Sequence, residues 1–235
     1  MELEKRLNLC QSKKPRIFVE VLAVKTYINL QIILQNLGKR FNREWIFRNL
    51  HTTLQTGQSY VFVGPNGSGK STLLQVLMGA IPHTEGTIQY TKDTSEILQI
   101  DDWFRQMVLA APYLELIEEF TLNELLAFHQ QFKPFKKSIT ALEIIQKLEL
   151  ESSQHKLIKY FSSGMKQRLK LGLAFYSDVP VVLLDEPTSN LDARWSAWYR
   201  AEVQQLQAEQ LLIICSNVPA EYDFCSNVID LIHYK

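Results

Sequence analysis

Nine residues constrain this chain more than any others: Gly64-Pro65-Asn66-Gly67-Ser68-Gly69-Lys70-Ser71-Thr72. They follow the apolar run Val61-Phe62-Val63 and lead into Leu73-Leu74, where a helical pattern opens. The order is strand, glycine-rich turn, helix. Every fixed position of the pattern G-x-x-x-x-G-K-[ST] is filled. Glycines let a backbone turn tightly, so that its N–H groups converge on phosphate oxygens. The helix beginning at Lys70 adds its N-terminal dipole to the same anion. In this pattern Lys70 reaches the β- and γ-phosphates of a nucleotide, and the Ser71 hydroxyl ligates Mg²⁺. A bare glycine-rich turn is the competing reading, and the complete match between a strand and a helix disfavours it.

The rest of the chain alternates in the same way. Val181-Val182-Leu183-Leu184 and Leu211-Leu212-Ile213-Ile214 are unbroken apolar runs, as strands buried on both faces require. A further strand pattern starts at Leu30-Gln31-Ile32-Ile33-Leu34. Thr121 lies three before Glu124, and Thr140 three before Glu143, each ahead of apolar residues: two capping boxes opening two helices. Two more helices are expected from about Gly164 to Tyr176 and from Ala193 to Leu206. Strands alternating with helices imply an α/β fold with a mainly parallel sheet flanked by helices. From about Ala111 to Phe161 no strand-like run occurs, so this stretch is expected to form a helical subdomain. Residues 1–29 hold an apolar patch around Ile17–Val24 but no chemical motif. They are expected to be a loosely packed N-terminal extension to a fold spanning 30–235.

Composition narrows the partners. With 46% hydrophobic and 21% charged residues the chain has a globular balance. Lys+Arg and Asp+Glu both number 25, so there is no basic excess, and Lys13-Lys14 and Lys136-Lys137 are isolated pairs. Nucleic acid is therefore not an expected partner. Cys10, Cys215 and Cys225 lack metal-ligand spacing, which fits a reducing compartment, with Cys215 a buried inert thiol. No apolar run approaches the ~20 residues that span a bilayer. The start, Met1 to Arg6, does not read as a signal peptide. Any membrane role would go through another polypeptide.

Two more segments carry chemistry. The run Val181–Leu184 ends in Asp185-Glu186, followed by Pro187-Thr188-Ser189-Asn190-Leu191-Asp192. Asp185 at a strand end can hold Mg²⁺ through its hydration shell, and Glu186 is placed to orient an attacking water. Upstream, Phe161-Ser162-Ser163-Gly164-Met165 opens a helix with serines and a glycine, a second set of backbone donors suited to phosphate. Taken together, residues 31–235 resemble the ATP-binding cassette family. Gly64–Thr72 matches its Walker A loop, Leu183–Glu186 its Walker B strand, Phe161–Met165 a variant of its L-S-G-G-Q signature, and Ser189–Asp192 its D-loop. Phe41 is similar to the family's adenine-stacking aromatic.

The resemblance implies a P-loop NTPase fold with an added small antiparallel β portion, binding ATP and Mg²⁺. ATP would contact Phe41, Gly64, Pro65, Asn66, Gly67, Ser68, Gly69, Lys70, Ser71 and Thr72. Ser162, Ser163, Gly164 and Asp192 would contact the ATP of a second cassette, head to tail, as a homodimer. Ser71 and Asp185 would hold the metal. Lys70, Glu186 and Asn217 would be catalytic, with Asn217 standing where the family has its switch histidine. The implied partner is a separate integral membrane permease subunit, docked on the helical subdomain at the cytoplasmic face of the cell membrane. Three departures stand out: Ser163 and Met165 in the signature, Asn217, and the absence of the Q-loop glutamine in Val108–Tyr113. Glu115 is the nearest polar side chain to take that glutamine's place. Slow hydrolysis is the expectation; the alternative is an ATP-gated closing module with little hydrolysis.

Overall fold

The protein is described by a computed structural model over residues 29–93, 96–206 and 210–235. The expected extension at 1–29, apart from Asn29, and Cys10 within it lie outside the described residues. In chain order the elements are β1 (Leu30–Phe41), β2 (Glu44–Gln55), β3 (Ser59–Val63), α1 (Lys70–Leu77), β4 (Glu85–Lys92) and β5 (Glu96–Ile97). Then come α2 (Ile100–Trp103), β6 (Met107–Ala110), α3 (Leu122–Phe132), α4 (Ala141–Lys147) and α5 (Ser163–Tyr176). β7 (Val181–Asp185), α6 (Ala193–Leu206), β8 (Leu211–Cys215) and β9 (Asn227–Asp230) complete the set.

The strands form two sheets. One has the order β6-β7-β8-β3-β9, with every neighbouring pair parallel. The other has the order β2-β1-β4-β5 and is antiparallel throughout. Side chains alternate faces along a strand, and the parallel sheet uses both. Val181, Leu183, Leu211, Ile213 and Phe62 join one core with α1 and the antiparallel sheet. Val182, Leu184, Leu212, Ile214 and Val61 join a second core with α3, α4, α5 and α6. All five residues of β7 and of β8 are buried, as their unbroken apolar runs require. β1 instead alternates, burying Leu30, Ile32 and Leu34, because only one face of the antiparallel sheet meets the core.

Local chemistry fixes the helix ends. Both expected capping boxes are present: the Glu124 and Glu143 backbone N–H groups donate to the Thr121 and Thr140 hydroxyls, and each glutamate carboxylate accepts from its threonine N–H. At the end of α1 the Leu77 carbonyl accepts from Trp103 Nε1 at 2.8 Å and the Tyr90 hydroxyl at 2.9 Å. The two rings stack at 3.6 Å. This satisfies a carbonyl that the helix leaves open and ties α1 to the antiparallel sheet. Between 111 and 161 the chain forms only helices and turns, with isolated bridges at Thr121↔Leu157 and Phe135↔Ser177. Among the described residues no helix is long and apolar enough to cross a membrane.

Candidate functional site

The carboxyl ends of β3, β7 and β8 meet at one edge of the parallel sheet, the edge where open α/β sheets hold ligands. From β3 the chain turns through Gly64–Gly69 into α1. Gly69 has φ +102°, and a Cβ there would lie 2.4 Å from the Ile46 side chain. That position is closed to any other residue. The close approach also seats the β1–β2 hairpin over the start of α1. Lys70 is buried, and its Nζ donates to the Gly64 carbonyl at 2.7 Å and the Pro65 carbonyl at 3.3 Å. The Ser68 hydroxyl is buried with no hydrogen-bond partner.

Asp185 ends β7 with 1% of its surface exposed, and neither carboxylate oxygen has a hydrogen-bond partner. Burial pushes its carboxyl above the ordinary value and Glu186 adds to this, while the Ser71 hydroxyl, the Lys70 ammonium and the Tyr113 hydroxyl oppose it. A bare buried carboxylate facing a serine hydroxyl is costly for the protein alone and is a donor set suited to a hard divalent cation. The residues present therefore fit Mg²⁺. Glu186 is exposed and holds φ +41°, a left-handed conformation uncommon outside glycine, which strains the backbone where the side chain is aimed. Its N–H donates to the Cys215 carbonyl at 2.9 Å. Asn217, just beyond β8, donates from Nδ2 to Asn66 Oδ1 at 3.0 Å. Asn66, Glu186 and Asn217 thus line one cavity of about 450 Å³ with Thr188, Ser216 and Glu221. Cys215 is fully buried, and desolvation pushes its thiol well above the usual range, as expected of an inert cysteine.

The signature residues lie elsewhere. Ser162 caps α5 by accepting the Met165 N–H at 3.2 Å, and it lines a second cavity with Gly164, Arg168, Asn190, Asp192 and Trp195. Asp192 caps α6 through the Trp195 N–H at 2.9 Å, and the Arg168 guanidinium lies 4.1 Å from the Trp195 ring. Within one chain, then, the structure groups Ser162 and Gly164 with Asp192, and Lys70 with Ser71, Asp185 and Glu186. Ser163 is exposed in the first turn of α5. Phe41 is 47% exposed at the end of β1, with Lys39 Nζ 4.6 Å from its ring centre.

Glu115 does not take up the expected position. It lies beside Lys170 in a cavity with Pro112 and Lys166. The reason is the turn after β6: the Leu114 N–H donates to the Ala111 carbonyl, and Lys170 Nζ donates to the Ala111 and Pro112 carbonyls at 3.1 and 2.8 Å. This turn directs Tyr113, not Glu115, toward Asp185 and Gln75. Burial, with Asp185 next, raises the Tyr113 hydroxyl to about 12. The signal for Tyr113 was its place three residues past the carboxyl end of a parallel strand.

A parallel sheet, a phosphate-loop sequence at the head of α1 and two carboxylates at the end of β7 define a P-loop NTPase fold. The family model for ABC transporters matches residues 47–189, and the chain belongs to that family. It is 28% identical over 206 residues to a lantibiotic transport ATP-binding protein of Streptococcus pyogenes, covering 85% of this chain and 86% of that one. It is 32% identical over 188 residues to the Nod factor export ATP-binding protein I of Burkholderia lata, covering 77% of this chain and 61% of that one. A dimeric ATP-binding cassette solved with ADP and Pi shares the fold at a TM-score of 0.72 and 22% identity, over 85% of this chain and 93% of that one.

Proposed function

We propose that this chain is the ATP-binding subunit of an ABC transporter, hydrolysing ATP in a head-to-tail dimer to drive a separate membrane permease. The observation that carries it is Asp185: a buried carboxylate with both oxygens unpartnered, facing Ser71 and next to Lys70. Ser71 and Asp185 would hold Mg²⁺, which supplies charge neutralisation for the phosphates. The loop N–H groups and Lys70 bind the phosphates, and the Phe41 ring offers an exposed face for the base. Glu186 orients the attacking water, and Asn217 donates a hydrogen bond on the opposite side of the cavity. Catalysis here is positioning and charge stabilisation. Asn217 carries no charge, so basal hydrolysis is expected to be slow. Tyr113 supplies the hydroxyl that faces the metal carboxylate where the family has glutamine.

Ser162, Gly164 and Asp192 line a cavity separate from Lys70, with Ser163 exposed in the first turn of the same helix, which supports their contacting the nucleotide of a second copy. Residues 30–235 make one cassette in this reading, with 111–161 its helical subdomain. The permease is the proposed occupant of an apolar groove beside α3, lined by Leu114, Ile117, Leu125, Phe128 and Phe132. Four of these large side chains, Leu114, Ile117, Phe128 and Phe132, are at least 36% exposed, and such a patch rimmed by Lys133 suits a cytoplasmic segment of an integral membrane subunit. The cytoplasmic face of the cell membrane is the proposed location. Phosphate release by wild type and Lys70→Ala, with ATP affinity measured in parallel, tests the reading. Lys70→Ala is expected to weaken ATP binding and abolish hydrolysis; unchanged affinity would overturn the assignment of the loop.

A further inference from the structure

We infer that Glu221 is a positioning residue for hydrolysis: a buried clamp that holds the Glu186 and Asn217 segments together across the cavity they share. This rests on the ATPase reading above and adds to it a residue that neither the loop motif nor the paired carboxylates includes.

The ladder between β7 and β8 ends at Asp185↔Cys215. Beyond it one backbone bond remains, from the Glu186 N–H to the Cys215 carbonyl at 2.9 Å, and the segments then part, one through Pro187 to Thr188 and the other through Ser216 to Asn217. Glu221 joins them. It is 2% exposed, at the end of the short turn Pro219–Glu221. Its Oε1 accepts the Thr188 N–H at 2.8 Å and the Thr188 hydroxyl, and its Oε2 accepts the Ser216 hydroxyl. Each loop therefore has its own oxygen. Ser216 is fully buried, and its Oγ also accepts the Val218 N–H at 2.9 Å, which fixes the chain on the far side of Asn217. The clamp is itself anchored: the buried Tyr199 hydroxyl of α6 donates to the Glu221 carbonyl at 2.8 Å.

The chemistry requires a carboxylate of this reach. All the groups that meet its oxygens are donors, and two separate acceptors must face two separate loops. Thr188 is two residues from Glu186, and Ser216 immediately precedes Asn217. A shift at Glu221 is therefore passed to the water-orienting carboxylate and to the amide opposite it. The phosphate loop, which supplies the binding contacts, is not bonded to Glu221: it meets the clamped segment through the Asn217–Asn66 side-chain bond, while Lys70 is held by the loop's own Gly64 and Pro65 carbonyls. A clamp of this kind sets the rate and not the affinity.

The test is single-turnover hydrolysis at saturating Mg-ATP by the full chain, with ATP affinity and melting temperature measured on the same samples. Glu221→Gln keeps the size but turns one acceptor into a donor. It is expected to hydrolyse at least about tenfold more slowly, with ATP affinity within about threefold of wild type. Thr188→Val removes one hydroxyl and should slow hydrolysis by a smaller factor. Combined with Glu221→Gln it should add little, because both act through one contact. A Glu221→Gln protein that turns over at the wild-type rate overturns the clamp. So does one in which affinity, melting temperature and rate fall together, or one whose effect multiplies fully with that of Thr188→Val. Wild type that binds no Mg-ATP would instead overturn the functional reading, and the clamp with it.

Discussion

The phosphate-loop side of the sheet edge and the helical stretch after β6 treat buried polar groups differently. At the sheet edge Ser68 Oγ and both oxygens of Asp185 are buried without partners. In the helical stretch polar groups are paired: Thr121 and Thr140 are matched to Glu124 and Glu143, Ser162 caps α5, and His129 Nε2 lies 2.8 Å from the Ser177 hydroxyl. The exception on that side is the Tyr176 hydroxyl. An unsatisfied buried polar group costs about 1–3 kcal/mol, and more when charged. The open groups at the sheet edge lie together around the phosphate loop, where a bound ligand can complete them. Changes at the sheet edge should remove function at little cost in stability, and changes in the helices should do the reverse.

Asp185→Asn tests this contrast most severely. It removes a buried charge that burial already disfavours, so the nucleotide-free protein should melt higher, by about 2–4 °C for each kcal/mol gained. The stabilisation that Mg-ATP confers over ATP with EDTA should vanish, along with hydrolysis. A lower melting temperature would mean that the carboxylate is satisfied in the folded protein and the contrast is false.

The next effect is a pH dependence. Burial, with Lys133 adding to it, lowers His129 from 6.5 to about 4. As pH falls the unfolded chain takes up the proton first, so stability from this group is complete above about pH 6.5. It declines down to about pH 4 and then levels off. Denaturant midpoints across this range should slope accordingly in wild type and less in His129→Asn. Equal slopes would remove His129 as the cause.

The smallest change is at a cap. Thr121→Ala should cost about 1 kcal/mol in chemical denaturation and leave ATP affinity unaltered. A loss of affinity of similar size would show that the helical stretch is coupled to the nucleotide edge.

Much of this contrast is legible in the sequence because its causes are local. The phosphate loop, the two fully buried strands and both capping boxes are each specified within a few consecutive residues. β1 shows where such reasoning weakens. Its pattern was clear from Leu30 to Leu34, but the strand continues to Phe41 through a register shift between Leu34 and Leu37. Asn36 there has φ +48°, so the bulge breaks the alternation that marks a strand. The order β2-β1-β4-β5 depends on pairing across long stretches of chain, which no local pattern encodes. Tyr113 and Glu221 were missed for the same reason. One is aimed by a lysine nearly sixty residues away (Lys170 Nζ on the Ala111 carbonyl), and the other serves loops that meet only in three dimensions.

The central claim is that each chain carries one phosphate edge and one signature edge, and that a site is completed only by a second copy. Light scattering of Glu186→Gln with and without Mg-ATP tests this most directly, since that variant keeps its shape and should retain unhydrolysed ATP. Alone it should become dimeric when Mg-ATP is added. With Gly164→Asp added, which sets a negative charge at the start of α5, it should still bind ATP through its own phosphate loop but remain monomeric. A double variant that dimerises as readily as Glu186→Gln, or a Glu186→Gln protein that stays monomeric at saturating Mg-ATP, would contradict the head-to-tail site.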